Sequence, residues 1–253
     1  MKLSFVIFSA LASGMLAASS HAVVVLAESF PYAPTTAVPL VGQGSPAWAQ
    51  LGATSTNPVQ VNVGNFVSLA NTGQDVQKPL DAVVPHTDGQ AITTEFDFTI
   101  SAVGTGDYFA HLTSSSGTSP FYNRFYIRTT TPTGGFQLGL SAGNPVAAPV
   151  YGADLSFGQS YHVVSTWTFQ PGALNDEFSA TIGGTPYIAP FVWNTASPEP
   201  TDVALFNLRQ GGGAAAPTVS ALDNVLVNSV PEPSALSIGA LASLFALRRR
   251  RGV

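Results

Sequence analysis

The sequence contains no cysteine and very little charge. None of its 253 residues is Cys, and only 9% are Asp, Glu, Lys or Arg. The lack of cysteine excludes disulfide bonds, thiolate metal sites and a cysteine nucleophile, so a folded domain must be stabilised by its own apolar core. Away from its two ends, the chain also lacks any ten-residue stretch with the periodicity of an amphipathic helix.

Basic residues are scarce in the central part of the chain. Residues 23–229 contain Lys78, Arg124, Arg128 and Arg209 against 13 acidic residues, which gives a net charge of −9. Such a surface repels the phosphates of nucleic acids and the headgroups of anionic lipids. We therefore predict no nucleic acid partner.

Several motifs of catalysis and of cofactor binding are missing. No Gly-x-Ser-x-Gly elbow is present, and the glycine run at 211–213 is not followed by the Lys-Ser/Thr of a phosphate loop. The spacing of the four histidines predicts no metal site: His21, His86, His111 and His162. No cofactor is predicted, although loop carboxylates leave structural calcium open. The carboxylates in question are Asp88, Asp107, Asp154 and Asp223.

The C-terminal end carries three different elements in a fixed order. Pro231, Glu232 and Pro233 hold an extended backbone, residues 235–247 are uncharged, and Arg248, Arg249, Arg250 and Arg251 follow. As a helix the apolar run is about 20 Å long, short of a ~30 Å hydrocarbon core. This arrangement resembles the PEP-CTERM sorting signal of Gram-negative bacteria. The resemblance implies recognition of the Pro-Glu-Pro motif by an exosortase, transient inner-membrane insertion and removal of the arginines; the alternative is a plain C-terminal anchor.

The N-terminal end has the pattern of a signal peptide. Lys2 precedes an apolar segment over residues 3–18, and Ser20-His21-Ala22 fits a small-x-small cleavage site. We predict cleavage by signal peptidase after Ala22. The chain thus divides into a signal peptide (1–22), a central domain (23–229) and a sorting signal (230–253), and we expect export to the cell surface, outer membrane or extracellular matrix.

The central domain shows the period-two alternation of β-strands. Residues 91–100 and 161–169 each place apolar side chains on one face and polar side chains on the other. Shorter runs of the same kind are separated by Gly- and Pro-rich turns. The pattern predicts an all-β fold, a two-sheet antiparallel jelly-roll sandwich, with a signal helix before it and a short hydrophobic helix after it.

Two short motifs refine this prediction. Glu28-Ser29-Phe30 lies in the first predicted strand and Asp223-Asn224-Val225 in the last. In this respect the chain is similar to the concanavalin A-like (laminin-G-like) jelly rolls, in which the first and last strands pair.

No catalytic residue is predicted. Glu95-Phe96-Asp97 resembles the start of the Glu-x-Asp-x-x-Glu strand of jelly-roll glycoside hydrolases, but Ile100 occupies the position of the second acid. A jelly-roll hydrolase or lyase should show paired acids or a Tyr/His/Arg constellation, and the sequence shows neither. The sequence therefore predicts a protein that is not an enzyme.

One strand suggests a glycan-binding face. Alternation over residues 121–130 places Tyr122, Arg124, Tyr126 and Arg128 on one side. Aromatic rings stack on sugars, and arginine donates two hydrogen bonds to a carboxylate. An exposed strand with cation–π pairs is the alternative.

These observations rank three functions. The first is non-enzymatic display or a structural role at the cell surface or in the matrix. The second is a lectin-like module that binds extracellular polysaccharide, and the third is a jelly-roll glycoside hydrolase or lyase. The fold alone does not choose among them.

Overall fold

The computed structural model describes residues 21–33, 35–52, 56–115, 121–130, 134–141, 148–192, 200–211 and 213–231. Residues 22–231 form one compact unit. Both predicted flanking helices lie outside the described residues, as do Glu232, Pro233 and the four terminal arginines. In the part of the chain that is described, no helix has the length and apolar character needed to cross a membrane.

The described residues form sixteen β-strands and one 3₁₀ turn. The strands are β1 Val23–Glu28, β2 Val38–Pro39, β3 Ala49–Leu51, β4 Gln60–Asn62, β5 Phe66–Leu69, β6 Asp75–Pro85, β7 Ala91–Val103, β8 Asp107–Thr113, β9 Phe121–Thr129, β10 Phe136–Ser141, β11 Val150–Tyr151, β12 Ser160–Thr168, β13 Glu177–Ile182, β14 Thr185–Val192, β15 Asp202–Leu208 and β16 Pro217–Val230. The 3₁₀ turn covers Gly213–Ala215.

The strands form two antiparallel sheets. One has nine strands in the order β14-β13-β12-β7-β16-β5-β4-β2, with β1 also paired to β16. The other has seven strands in the order β11-β10-β9-β8-β15-β6-β3. The prediction of an all-β jelly-roll sandwich is confirmed for the described residues.

The alternation that predicted the longest strands is realised in the structure. Along β7 and β12, every second side chain is buried between the sheets. β12 pairs with β7 from Ser160 opposite Thr99 to Thr168 opposite Ala91 without a break. The ladder is regular because both strands keep the period of two, so each register position places apolar side chains on the same face.

The first and last strands of the domain are neighbours. β1 pairs with β16 from Val23 opposite Ser229 to Glu28 opposite Val225. A bulge beside Leu26 interrupts the register, and Asn224 of β16 has a positive φ of 53°. The N-terminal strand therefore closes the domain next to its C-terminal strand.

Aromatic side chains fill the space between the sheets. Phe96 of β7 contacts Phe125 of β9 with ring centroids 4.8 Å apart, and Trp167 of β12 stacks on Phe178 of β13 at 5.4 Å. Such pairs add about 0.5–1.5 kcal/mol each beyond the burial of their area. The core replaces the missing disulfides as the source of stability.

A charged pair is buried at one end of the core. Lys78 Nζ of β6 lies 2.6 Å from Glu28 Oε2 of β1, and both side chains are almost fully buried. The Glu28 carboxylate also accepts hydrogen bonds from three further donors: the Phe30 amide, the Tyr32 hydroxyl and the Trp48 indole. Burial raises the pKa of Glu28, but these hydrogen bonds outweigh burial and the net pKa is lowered.

Candidate active site on the seven-stranded sheet

The outer face of the seven-stranded sheet carries a cluster of aromatic and basic side chains from β8 and β9. Tyr108 pairs with Tyr126 across the two strands, and Arg124 and Phe121 extend the same face of β9. The guanidinium of Arg124 lies 5.3 Å from the ring centre of Tyr108 and 4.9 Å from that of Phe121. We call Tyr108, His111, Phe121, Arg124 and Tyr126 the Tyr–His–Arg cluster.

A bulge in β9 decides which side chains join this cluster. Asn123 adopts a left-handed φ of 46°, and between Ala110/Phe125 and Leu112/Tyr122 the register of β8 and β9 shifts. The prediction that Tyr122 shares a face with Arg124 is therefore wrong. Tyr122 points into the core, where its ring stacks on Trp167 at 5.3 Å.

Hydrogen bonds from the opposite sheet hold the bulge in place. The Asn123 amide donates to Thr94 Oγ1 at 3.3 Å and accepts from Ser165 Oγ at 2.8 Å. All three side chains are fully buried. The geometry of the cluster is thus anchored in the core of the sandwich.

Arg124 is a buried cation without a carboxylate partner among the described residues. Its side chain is 2% exposed, and its Nε and Nη1 have no hydrogen-bond partner in the described part of the chain. A hydrogen bond with Tyr126 and the rings of Tyr108 and Phe121 are its stabilising contacts. Burying a charge without a full set of partners is costly, so this guanidinium is suited to receive an anion.

His111 lies beside the arginine in the same apolar environment. Its ring centre is 4.7 Å from Phe121 and 5.3 Å from Tyr108, and neither ring nitrogen has a partner within the described residues. Burial, with smaller contributions from Arg124 and Arg209, lowers the pKa of His111 to about 3. The imidazole is therefore neutral at ordinary pH.

The tyrosines keep their protons, and a second arginine lies against one of them. Burial raises the pKa of Tyr108 and of Tyr126, while the nearby guanidinium groups act in the opposite direction. Arg209 lies 4.2 Å from the ring centre of Tyr108, and its Nη1 is 2.6 Å from Asp107 Oδ2. The ring of Tyr108 thus contacts two guanidinium groups, and both tyrosine hydroxyls keep a proton that they can donate.

Asn207 of β15 adds a polar side chain next to the Tyr–His–Arg cluster. It lies opposite His111 in the strand register and donates to Thr113 Oγ1 at 3.1 Å. Its Oδ1 is buried and has no partner in the described part of the chain. An amide at this position adds a neutral polar group next to the imidazole.

The remaining predicted site residues are distributed over both sheets. Arg128 shares the outer face of β9 with Arg124 and Tyr126, as the alternation predicts. Glu95 and Asp97 lie on the outer face of the nine-stranded sheet, where His162 is within 3.4 Å of Glu95 and 2.9 Å of Asp97. The described residues contain no group of three or more His, Asp or Glu side chains that could hold a metal ion. Of the Pro-Glu-Pro motif, only Pro231 is described.

Comparisons with known proteins bear on the fold. No family model matches the chain, and no curated protein matches it. Among solved structures, a mutant of alginate lyase Aly36B in complex with alginate trisaccharide is similar with a TM-score of 0.56 and 12% identity, over 81% of this chain and 98% of that one. Aly36B itself is similar with a TM-score of 0.53 and 11% identity, over 80% and 95%.

These similarities correct the prediction that the chain is not an enzyme. At this identity the likeness shows a shared fold, and both of the neighbours named above are alginate lyases. The prediction had relied on the absence of paired acids and of a Tyr/His/Arg constellation, and in the structure Tyr108, His111 and Arg124 of β8 and β9 lie close together. The non-enzymatic display role is therefore not retained.

Proposed function

We propose that the central domain is a carbohydrate-active enzyme that cleaves an acidic polysaccharide by β-elimination, with the Tyr–His–Arg cluster as its active site. The observation that carries the proposal is the pair of Arg124 and His111, both buried and both with polar atoms that lack a partner among the described residues. The shared fold with alginate lyases supports the same class of reaction, and the concanavalin A-like assignment is part of this proposal.

The arginine provides the electrostatic part of the reaction. A uronate carboxylate bound by Arg124 has its charge neutralised, which makes the proton on the adjacent sugar carbon more acidic. Charge that develops on the carboxylate in the transition state is then stabilised by a preorganised cation in a site of low polarity. Asn207 adds a polar group at the side of His111.

The imidazole and the tyrosine hydroxyls provide the proton transfers. A base removes the proton next to the carboxylate, a carbon–carbon double bond forms, the bond to the neighbouring glycosidic oxygen breaks, and that oxygen takes up a proton. Neutral His111 has the chemistry of the base and Tyr108 or Tyr126 that of the acid. Burial is the main cause of the lowered pKa of His111, and binding of the substrate anion at Arg124 offsets only the smaller part that comes from the positive charge of the arginines. The reaction consumes no water and no cofactor.

The test is to incubate the protein with alginate and with other uronate polymers. Ultraviolet absorbance and mass spectrometry then detect any unsaturated product. We expect activity on at least one acidic polymer and none on a neutral glucan. Arg124→Ala and His111→Ala should each lower kcat/KM by about 10²–10³-fold, the effect of losing one transition-state stabiliser.

His162→Ala provides the matched control, because it removes an exposed histidine from the opposite sheet. Its activity should equal that of the unmodified protein. Binding of acidic polymers without cleavage would overturn the proposal, and so would hydrolysis products that carry no double bond.

We also propose that the protein is exported and that its C-terminal segment is processed by an exosortase. The support lies in the sequence, in the order of three elements: the motif Pro231, Glu232 and Pro233, the apolar run that is predicted to form a hydrophobic helix, and the four terminal arginines. An exported enzyme would reach polysaccharide at the surface or in the matrix of a Gram-negative bacterium. Intact mass and C-terminal peptides from native cells test this: a mature chain that retains Arg248–Arg251 would contradict sorting.

A further inference from the structure

A second arginine on the outer face of β9 is held in one orientation although it is exposed. The Nε of Arg128 donates to Gln137 Oε1 at 2.7 Å, and Gln137 Nε2 donates to Asp154 Oδ1 at 2.9 Å. Its guanidinium lies 3.8 Å from the ring centre of Tyr151. An exposed arginine normally samples many rotamers, so this arrangement orders the side chain in advance of binding.

The position of the Tyr151 ring depends on Gly139. Gly139 of β10 pairs with Tyr126 on one side and with Tyr151 on the other. A Cβ atom at this position would stand 2.6 Å from the Tyr151 ring. The lack of a side chain at Gly139 thus allows the tyrosine ring to lie across β10, next to Arg128.

A cleft adjoins this arrangement. It has a volume of about 350 Å³ and is lined by Gly134, Gly135, Asp154, Leu155, Ser156 and Phe157. Asp154 lines the cleft and accepts a hydrogen bond from Gln137, so two hydrogen bonds connect the cleft to Arg128. The carboxylate of Asp154 can accept hydrogen bonds from hydroxyl groups but repels an anion, whereas the Nη atoms of Arg128 suit an anion.

We propose that Arg128, Gln137, Tyr151 and the cleft form a second sugar-binding subsite, the edge subsite. It takes a further acidic sugar of the same polysaccharide chain that binds at Arg124. The inference rests on the proposed function. Arg128 lies four positions after Arg124, a distance of about 13 Å along β9. This distance exceeds one sugar ring, so the edge subsite recognises longer oligosaccharides and contributes little to the shortest.

Calorimetric binding of a uronate disaccharide and a uronate hexasaccharide tests the proposal. The protein carries His111→Ala so that the sugars are not cleaved. We expect Arg128→Ala to weaken hexasaccharide binding about tenfold, as the loss of one charge-assisted hydrogen bond would, and to change disaccharide binding less than about twofold. Gly139→Ala should act in the same direction, because it displaces Tyr151.

Val63→Asp is the matched control. Val63 is 53% exposed between β4 and β5 of the other sheet, and the substitution changes the net charge by the same one unit. Equal hexasaccharide affinity in Arg128→Ala and Val63→Asp would overturn the edge subsite while leaving the proposed function standing. If the protein that carries only His111→Ala binds neither oligosaccharide, but the unmodified protein cleaves acidic polymers, the edge subsite alone is overturned. If the protein with His111→Ala binds neither oligosaccharide and the unmodified protein cleaves no acidic polymer, both proposals are overturned.

Discussion

Among the described residues of this domain, one lysine and one arginine are buried, and their surroundings are opposite in kind. Lys78 is 4% exposed and Arg124 is 2% exposed. The ammonium group of Lys78 meets a carboxylate whose remaining positions are filled by other donors. The guanidinium of Arg124 meets aromatic rings and a tyrosine hydroxyl instead. Lys78 is thus paired within the fold, whereas Arg124, which has no carboxylate partner among the described residues, is the cation to which the proposed function assigns a ligand.

The largest effect on stability is expected from removing Lys78, the buried cation that is paired with Glu28. Lys78→Met leaves Glu28 buried without its counter-charge, and the free energy of unfolding should fall by about 3–5 kcal/mol. Urea denaturation followed by tryptophan fluorescence measures the change. Glu28→Gln together with Lys78→Met removes both charges and should recover part of the loss. If the double variant is no more stable than Lys78→Met, the pairing does not explain the effect.

The pH dependence of stability should reveal the environment of His111. The folded-state pKa is about 3 and the reference value is 6.5, so between these values the unfolded chain binds a proton that the folded domain does not. Stability is therefore lost as the pH falls from 6.5 towards 3, by at most about 1.4 kcal/mol per pH unit from this residue. His111→Leu should flatten the profile between pH 6.5 and 4.5. An unchanged slope would mean that the buried imidazole is protonated in the folded domain.

The smallest effect on stability is expected from replacing Arg124, the buried cation without a carboxylate partner among the described residues. Arg124→Met removes a desolvated charge and its cation–π contacts together, and these contributions are of opposite sign. The free energy of unfolding should stay within about 1 kcal/mol of the unmodified protein, although activity is lost. A loss as large as that of Lys78→Met would assign Arg124 to the fold instead of the site.

The sequence predicted the parts of the fold that are set by local alternation. β9 is observed from Phe121 to Thr129, as predicted, and β7 and β12 keep their predicted faces. β6 was missed because Pro79 and Pro85 interrupt its pattern, and prolines argue against a strand. In the structure, Pro79 lies at a register shift opposite Leu205, where the ladder is irregular.

The site was harder to predict than the strands because it depends on register between strands that are distant in sequence. His111 and Asn207 are neighbours on the sheet although 96 residues separate them along the chain. The face of Arg124 could be predicted from alternation, but that of Tyr122 could not, since the left-handed Asn123 inverts the pattern between them. An Asn at that position is compatible with a positive φ, which was the one local signal of the bulge.

The pairing of the first strand with the last has a consequence for the order of folding. Val23 and Ser229 face each other across a sequence separation of 206 residues. Contacts of this range are formed late, because the whole intervening loop must be closed first, and such topologies fold slowly. The sandwich cannot be closed until the ribosome has synthesised β16. A nascent chain that still lacks its last strand therefore remains open, which is the state in which a polypeptide can be threaded through a narrow membrane channel.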